Sequence, residues 1–275
     1  MDITNNMNNK SLGLITYVYE DYQDFIPLYV YSVLKNNPSV NIKIFLKEVL
    51  TKENRAMLEK VSTDKVEIVE NYFIPCPIGR LGGIRVLIPE KDVSEFDYIY
   101  ITDIDVVEVC DMREHCNKSI LLSEKRNVPF NGRFYDHQFR HFKGLLPRFN
   151  LCCVFIEVKP YYEKMNKVIE NIYSDKHQEY MNKIDDFHID EPLFYYMLKQ
   201  AFEFDDATFK KRGVGLPFLN LHPIKVGYKG KNKNRRWIPS NDIEKALVKD
   251  IYENGTEKVK YIIMQHVEGV ENEKD

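Results

Sequence analysis

The sequence lacks any segment that would carry it into or across a membrane. The N-terminal residues, MDITNNMNNKSLG, are polar, and no later stretch has the length of uncharged apolar residues that a membrane span needs. The five cysteines contain no CxxC pair, and Cys152 and Cys153 lie side by side in an apolar run. We interpret the cysteines as reduced core thiols and predict a cytoplasmic protein without a transmembrane segment.

The glycine fingerprints of common nucleotide-binding folds are also missing. Neither a Walker motif nor a dinucleotide-binding GxGxxG occurs, which argues against kinases and dehydrogenases. A sugar-phosphate nucleotidyltransferase needs a glycine-rich phosphate loop directly after its first strand, where this chain reads Glu20-Asp21-Tyr22-Gln23. These enzyme classes therefore fit the sequence poorly.

Charge of one sign is not in excess. Lys and Arg number 39 against 42 for Asp and Glu, so a formal net charge of -3 gives no overall attraction to nucleic acid. The one concentrated basic run is KGKNKNRR at residues 229–236, followed by Trp237. It is either a solvated loop or a loop that closes over phosphates or an anionic acceptor. We predict no nucleic-acid partner, and the oligomeric state stays open.

What the sequence does contain is an alternation of short β-rich runs with stretches of helical spacing. This alternation predicts an α/β fold, and 275 residues with 44% hydrophobic content suffice for one large domain. The first third resembles a Rossmann-like half-sheet, in which ligands bind at the carboxyl ends of the strands. We predict strands at 12–19, 41–46, 65–69, 98–101, 151–158, near Asn220 and at 259–265. The first predicted helix has Asp24 as its N-cap and Pro27 in its first turn, and another runs up to Pro89. Further helices are predicted at 52–61, 161–173, 190–199 and 243–252.

Two carboxylates follow the predicted strand at 98–101, in Thr102-Asp103-Ile104-Asp105. In extended backbone, residues i and i+2 project to the same side, so Asp103 and Asp105 can approach one ion together. Their hard oxygens suit Mg²⁺ or Mn²⁺, and a nucleoside diphosphate would fill further coordination positions. The ion would then neutralise a leaving diphosphate. A solvated turn is the usual role of such a triplet, but its place after a buried strand favours a ligand site.

Five segments occur in an order that matches one enzyme family. They are RVLIPE at 85–90, FDYIYITDIDV at 96–106, RFNLCCV at 148–154, DEPL at 190–193 and IIMQHVEG at 262–269. The first two look like an Arg-containing helix before a strand that ends in a metal-binding Asp-x-Asp. The others look like a Phe-Asn-Ala-Gly-Val strand, an Asp-Gln motif and a terminal His-x-x-Gly. The chain thus resembles the retaining glycosyltransferases of family eight, which include lipopolysaccharide galactosyl- and glucosyltransferases and glycogenin.

The resemblance implies a fold, a reaction and partners. It implies one GT-A type domain over residues 1–275, with a nucleotide-binding half at about 11–105 and a sugar and acceptor half at about 106–275. The expected reaction is metal-dependent transfer of a hexose from a nucleotide sugar, expected to be a UDP-hexose, to a glycan, lipid-linked or protein acceptor with retention. An inverting GT-A enzyme and a non-catalytic nucleotide-sugar or glycan-binding protein are the alternatives.

The resemblance also assigns metal ligands. Asp103, Asp105 and His266 would hold the ion, and the imidazole favours Mn²⁺ over Mg²⁺. His222 is the rival ligand. The family's usual terminal Lys-Pro-Trp is missing, and Lys274 or the basic run at 229–236 would replace its phosphate-binding lysine.

Donor-binding residues follow from the same resemblance. Arg85 would reach the donor's phosphate or sugar with its planar fork, unless it is a surface arginine on an amphipathic helix. Thr16, Tyr17 and Tyr19 match the uridine-binding segment by position, and Tyr17 or Tyr19 would stack on the base. Asn150 would face the sugar, or else satisfy a strand end.

Catalytic roles fall to Asp190 and Glu191. Asp190 would bind sugar hydroxyls and Glu191 would lie below the anomeric carbon, although carboxylates at a helix start also stabilise the helix. The family usually has Gln where this chain has Glu191. Retention therefore proceeds either through a covalent sugar on Glu191 or by same-face attack with the leaving phosphate as base. The aromatic segment 127–147 is either an acceptor-facing loop or a core-covering one.

Overall fold

A six-stranded mixed sheet forms the centre of the protein. The computed structural model describes residues 10–74, 81–108, 110–135, 148–174, 190–210, 218–220 and 238–267. The central strands are β1 Leu12–Val18, β2 Asn41–Leu46, β3 Val66–Val69, β4 Tyr98–Thr102, β6 Phe130–Asn131 and β9 Cys153–Glu157. Their order is β3-β2-β1-β4-β9-β6, with β1 to β4 parallel and β9 antiparallel to both of its neighbours. The predicted α/β fold is confirmed.

Four short strands lie outside the central sheet and form two small antiparallel pairs. They are β5 Val106–Glu108, β7 Phe134–Tyr135, β8 Arg148–Phe149 and β10 Phe218–Asn220. β5 pairs with β10, and β7 pairs with β8. Since β5 begins directly after the Asp-x-Asp, the first of these pairs lies beside the predicted ligand site.

Helices cover both faces of the central sheet. The α-helices are α1 Ile26–Asn36, α2 Lys52–Glu59, α3 Met112–Arg126, α4 Val158–Tyr173, α5 Asp190–Ala201, α6 Asp206–Lys210, α7 Asp242–Asn254 and α8 Glu257–His266. The alternating residues of β1 supply both cores: Leu14 belongs to the core that includes residues of α1, α3, α7 and α8, and Ile15 to the core that includes residues of α4 and α5. None of the helices in the described ranges has the length and apolar content needed to cross a bilayer.

The carboxyl ends of β1 and β4 lie side by side. The two strands run parallel with Ile15 level with Ile101, so the residues that follow them emerge at one edge of the sheet. A buried hydrogen bond of 2.8 Å between the hydroxyls of Tyr29 and Thr102 ties the end of β4 to α1. This edge is where the sequence predicted ligands to bind.

The predicted strand at 259–265 is wrong, because these residues form most of α8. Val259, Ile262 and Ile263 are buried, while Tyr261 is 52% exposed. Burial at i, i+3 and i+4 is the period of a helix, whereas a strand would bury alternate residues. His266 therefore ends a helix and not a strand.

Two local predictions near the site are also corrected. Asp24 does not cap α1, because a 3-10 turn at Glu20–Phe25 precedes that helix and Phe25 occupies the cap position. The Asp24 carboxylate instead accepts hydrogen bonds from the Asn54 side chain at 2.9 Å and the Thr256 backbone at 3.4 Å. In the described part of the segment predicted as a helix before Pro89, a 3-10 turn at Leu81–Val86 takes the place of an α-helix.

Candidate functional site

Arg85 joins two carboxylates that are far apart in the sequence. Its guanidinium, on the 3-10 turn Leu81–Val86, donates through Nη2 to Asp190 Oδ2 at 2.7 Å and through Nη1 to Asp103 Oδ1. Its side chain is 14% exposed, and its Nε is buried without a hydrogen-bond partner among the described residues. Burial lowers the pKa of Arg85, but the two carboxylates outweigh it and raise that pKa further above its usual value. Arg85 thus stays charged between the end of β4 and the start of α5.

Asp105 is the most buried carboxylate of the site. Burial and then the negative charge of Asp103 raise its pKa to about 7. Arg85 bridges two carboxylates, Asp103 and Asp190, and the third, Asp105, lies two residues beyond Asp103. Two of them, Asp103 and Asp105, present hard oxygens after one strand, which fits a divalent cation such as Mn²⁺ or Mg²⁺. Within the described ranges no group of three or more His, Cys, Asp or Glu could hold a metal ion, so a third protein ligand is not seen there.

Asp190 serves α5 and the site at the same time. Its Oδ1 accepts a hydrogen bond from the Glu191 backbone N–H at 2.9 Å, and its Oδ2 pairs with Arg85. Burial would raise the pKa of Asp190, but Arg85 and these hydrogen bonds leave it below its usual value. The two alternatives from sequence, helix stabilisation and ligand binding, are therefore compatible in one side chain. Glu191 follows with a partly exposed side chain.

Three tyrosines lie at the end of β1 and on the 3-10 turn that follows it. The rings of Tyr17, Tyr19 and Tyr22 follow one another at centroid distances of 6.1 Å. Thr16 and Tyr17 are buried, whereas Tyr19 and Tyr22 are partly exposed. Burial raises the pKa of Tyr19, and the charges of Arg85 and Asp190 act on it as well. Of the two tyrosines that the sequence proposed for base stacking, Tyr19 has the accessible face.

The turn before β9 reaches the site through Cys152. Its buried thiol donates a hydrogen bond to the Asp103 carboxylate, and burial followed by the charge of Asp103 raises the thiol pKa well above its usual value. Asn150 Oδ1 accepts from the Cys152 backbone N–H at 3.0 Å, and Asn150 N–H donates to the Arg133 carbonyl at 2.8 Å. Cys152 and Cys153 are buried free thiols, as the sequence suggested.

Tyr22 and Lys258 belong to this site but were missed from sequence. Burial and then the charges of Asp105, Tyr19 and Asp103 raise the pKa of Tyr22. Lys258, in the first turn of α8, places Nζ 4.4 Å from the centroid of the Tyr22 ring. The available signal was the helical spacing of residues 257–266, of which the sequence analysis predicts 259–265 as a strand.

Several predicted residues fall outside what the structure describes. For His266 only the backbone is described, at the end of α8. Of the aromatic segment at 127–147, the described residues Phe130 and Phe134 are buried in the core. Outside the described residues lie His222, Lys274, Asp185, Asp186, Trp237, the basic run at 229–236 and the rest of that aromatic segment, including Phe139, His141 and Phe142.

Comparison with known proteins finds similarity in structure and not in sequence. No family model and no curated protein matches the chain. It is similar to the galactosyltransferase LgtC in complex with donor and acceptor sugar analogues, at 12% identity and TM-score 0.48 over 91% of this chain and 99% of that one. It is also similar to the apo-form glycosyltransferase GlyE of Streptococcus pneumoniae TIGR4, at 14% identity and TM-score 0.47 over 92% of this chain and 62% of that one. For the GDP-bound mannosyltransferase Ktr4p of S. cerevisiae, the identity is 12% and the TM-score 0.41 over 73% and 68% of the two chains. At such values the functional assignment rests on the site itself.

Proposed function

We propose that the chain is a metal-dependent glycosyltransferase that moves a hexose from a nucleotide sugar to a glycan, lipid-linked or protein acceptor. The observation that supports this best is that Arg85 bridges Asp103 and Asp190 at the carboxyl edge of a parallel half-sheet, with Asp105 two residues beyond Asp103. A site with more carboxylates than cations attracts a divalent ion, and the ion in turn attracts a diphosphate. We expect a UDP-hexose as donor and the cytoplasm as the place of reaction.

Each side chain has a role in holding the donor. Asp103 and Asp105 would hold Mn²⁺, with His266, or its rival His222, as a further proposed ligand. The ion supplies charge neutralisation for the leaving diphosphate when bound. Arg85 has a planar fork that binds phosphate or sugar oxygens in pairs, so it can exchange carboxylate partners for donor oxygens. Tyr19 offers a ring face for the base, and Asn150 is proposed to face the sugar.

The pairing of Asp190 with Arg85 argues against an inverting reaction with Asp190 as base and leaves Glu191 as the alternative base. Because Arg85 keeps the pKa of Asp190 below its usual value, this carboxylate is a poor proton acceptor at neutral pH. It is better suited to accepting hydrogen bonds from sugar hydroxyls. Retention then proceeds either by same-face attack, with the departing phosphate oxygen taking the acceptor's proton, or through a covalent sugar on Glu191.

Turnover of a nucleotide-sugar panel tests the proposal. The wild type and Asp103→Asn are incubated with UDP- and GDP-hexoses in Mn²⁺ or in EDTA, and release of the nucleoside diphosphate is followed with water as default acceptor. Asp242→Asn is the matched control, since the Asp242 side chain is fully exposed on α7. We expect Mn²⁺-dependent release from one donor, lost in Asp103→Asn and kept in Asp242→Asn. Absence of turnover with every donor in the wild type would count against an enzyme.

A further inference from the structure

The helix α1 carries polar side chains on a side that faces the core. Tyr29, Ser32 and Asn36 follow one another at i, i+3 and i+7, so they lie on one side of the helix, and Asn37 is its C-cap. We call these four residues the polar face of α1. Tyr29, Ser32 and Asn37 are at most 4% exposed, and polar groups at such positions cost free energy unless they are hydrogen-bonded. The hydrogen-bond partners of the polar face therefore indicate what it does.

The polar face of α1 binds the chain on both sides of the Asp-x-Asp. Directly before the motif, the Tyr29 hydroxyl shares a hydrogen bond of 2.8 Å with the hydroxyl of Thr102, the last residue of β4. After the motif, Ser32 Oγ accepts a hydrogen bond from the Glu108 backbone N–H at 3.0 Å. Glu108 is the last residue of β5, which begins directly after the Asp-x-Asp. Residues 102–108 are thus held to α1 at both ends.

The carboxylate of Glu108 strengthens the second attachment. Glu108 is 4% exposed, and its Oε2 accepts hydrogen bonds from the side-chain amides of Asn36 at 3.1 Å and Asn37 at 3.0 Å. Its Oε1 accepts a hydrogen bond from the Cys110 backbone N–H. Asn37 Oδ1 in turn accepts one from the backbone N–H of Met112, the first residue of α3, at 2.8 Å. Several hydrogen bonds to the last turn of α1 and its cap therefore fix the end of β5.

The two proposed metal ligands lie between these attachments. A divalent ion needs its ligands in a fixed geometry, and contacts from neighbouring residues hold such ligands in place. Asp103 directly follows Thr102, and Asp105 lies three residues before Glu108. Packing alone does not require the Tyr29 hydroxyl, since a phenylalanine fills nearly the same volume. The hydroxyl adds a directional bond to the residue that precedes a proposed ligand.

We propose that the polar face of α1 positions Asp103 and Asp105 for the metal ion, with Tyr29 acting as a positioning residue through Thr102. This assignment rests on the proposed function, because it needs a divalent ion at the two carboxylates. The role of the face is to hold the backbone that carries the ligands, and not to bind the ion or the donor.

Binding of Mn²⁺ tests the assignment without relying on turnover. Electron paramagnetic resonance measures free Mn²⁺ during titration of the protein with and without UDP. Tyr29→Phe removes the hydroxyl and keeps the ring, and the loss of one buried hydrogen bond beside the ligands should weaken Mn²⁺ binding roughly three- to tenfold. Ser32→Ala removes the acceptor at the other end of the segment and should also weaken Mn²⁺ binding.

Tyr162→Phe is the matched control for Tyr29→Phe. It also removes a buried hydroxyl, but this hydroxyl donates at 2.9 Å to the Ile88 carbonyl and not to residues 102–108. Tyr162→Phe should therefore bind Mn²⁺ like the wild type, even if its unfolding temperature falls as much as that of Tyr29→Phe.

The outcomes separate this assignment from the function on which it rests. If the wild type binds Mn²⁺ and Tyr29→Phe binds it equally well, the assignment is overturned and the proposed function stands. If Tyr162→Phe weakens Mn²⁺ binding as much as Tyr29→Phe does, the effect is one of general stability, which also overturns the assignment. Should Tyr29→Phe not fold, the same criteria apply to Ser32→Ala. If the wild type binds no Mn²⁺ with or without UDP, the proposed function and this assignment fail together.

Discussion

Replacing Arg85 with methionine should destabilise the protein and at the same time raise its response to a divalent cation. The substitution keeps the aliphatic part of the side chain but removes both charge-assisted hydrogen bonds, to Asp103 and Asp190. Those carboxylates are 22% and 24% exposed, so water compensates only part of the loss. Two such bonds at about 1.5–3 kcal/mol each, reduced for this exposure, give a loss of about 2–4 kcal/mol.

The loss should be measurable as a lower melting temperature. An unfolding entropy of about 0.6 kcal/mol/K for a chain of this size converts the loss into about 3–7 °C. The melting temperature of Arg85→Lys should fall between those of the wild type and Arg85→Met, because one ammonium does not reproduce the two-nitrogen fork of the guanidinium. Arg55→Met is the control: Arg55 pairs with one carboxylate, Glu70, and is 47% exposed, so about 0–1 kcal/mol is expected.

Adding Mn²⁺ separates this electrostatic account from a simple packing defect. Without Arg85, the carboxylates of Asp103, Asp105 and Asp190 repel one another with no bridging cation. Mn²⁺ should therefore raise the melting temperature of Arg85→Met by more than that of the wild type, as differential scanning fluorimetry can measure. A melting temperature of Arg85→Met equal to that of the wild type, or a smaller Mn²⁺ response in the variant, would refute the reasoning.

Two further predictions concern the framework around the site. Gly13→Ala on β1 should lower stability by about 1–3 kcal/mol in urea unfolding, because the added Cβ would lie 2.8–2.9 Å from atoms of the buried Phe96 ring; an unchanged midpoint would contradict this packing. Glu244→Gln should lower the free energy of unfolding by about 1–2 kcal/mol at neutral pH. Burial would raise the pKa of Glu244, but hydrogen bonds from Ser240 and Lys35 outweigh it and lower that pKa below its usual value. That contribution is present above the unfolded pKa and is lost as the pH falls through the folded one, so unfolding curves of wild type and variant should converge in acid. A gap that persists at low pH would show that the ion pair is not its source.

The sheet was predictable because its signals are local. The apolar runs at β1, β2 and β4 are short, β-rich and separated by helical spacing, and each appears at or near its predicted bounds. The position of Asp103 and Asp105 after β4 follows from the same reasoning. Strand order, by contrast, places β9 next to β4 through pairing across some 50 residues, which no local pattern encodes.

The contacts that make the site were harder to predict. Arg85 and Asp190 are 105 residues apart, and only the packing of α5 against the turn that carries Arg85 brings them together. Residues 259–265 were predicted as a strand, although the buried Val259, Ile262 and Ile263 have helical spacing. Tyr22 lies on a 3-10 turn at Glu20–Phe25, where the sequence predicts Asp24 as the cap of α1. In each case a tertiary contact, and not a propensity, decides the role.

Anomalous diffraction from crystals grown with Mn²⁺ and UDP tests the central claim most directly. Data collected at the manganese absorption edge locate the ion without reference to any assumed ligand. The account predicts an anomalous peak between the carboxylates of Asp103 and Asp105, with the UDP phosphates beside it. A peak elsewhere in the protein, or bound UDP with no manganese at these two carboxylates, would contradict it.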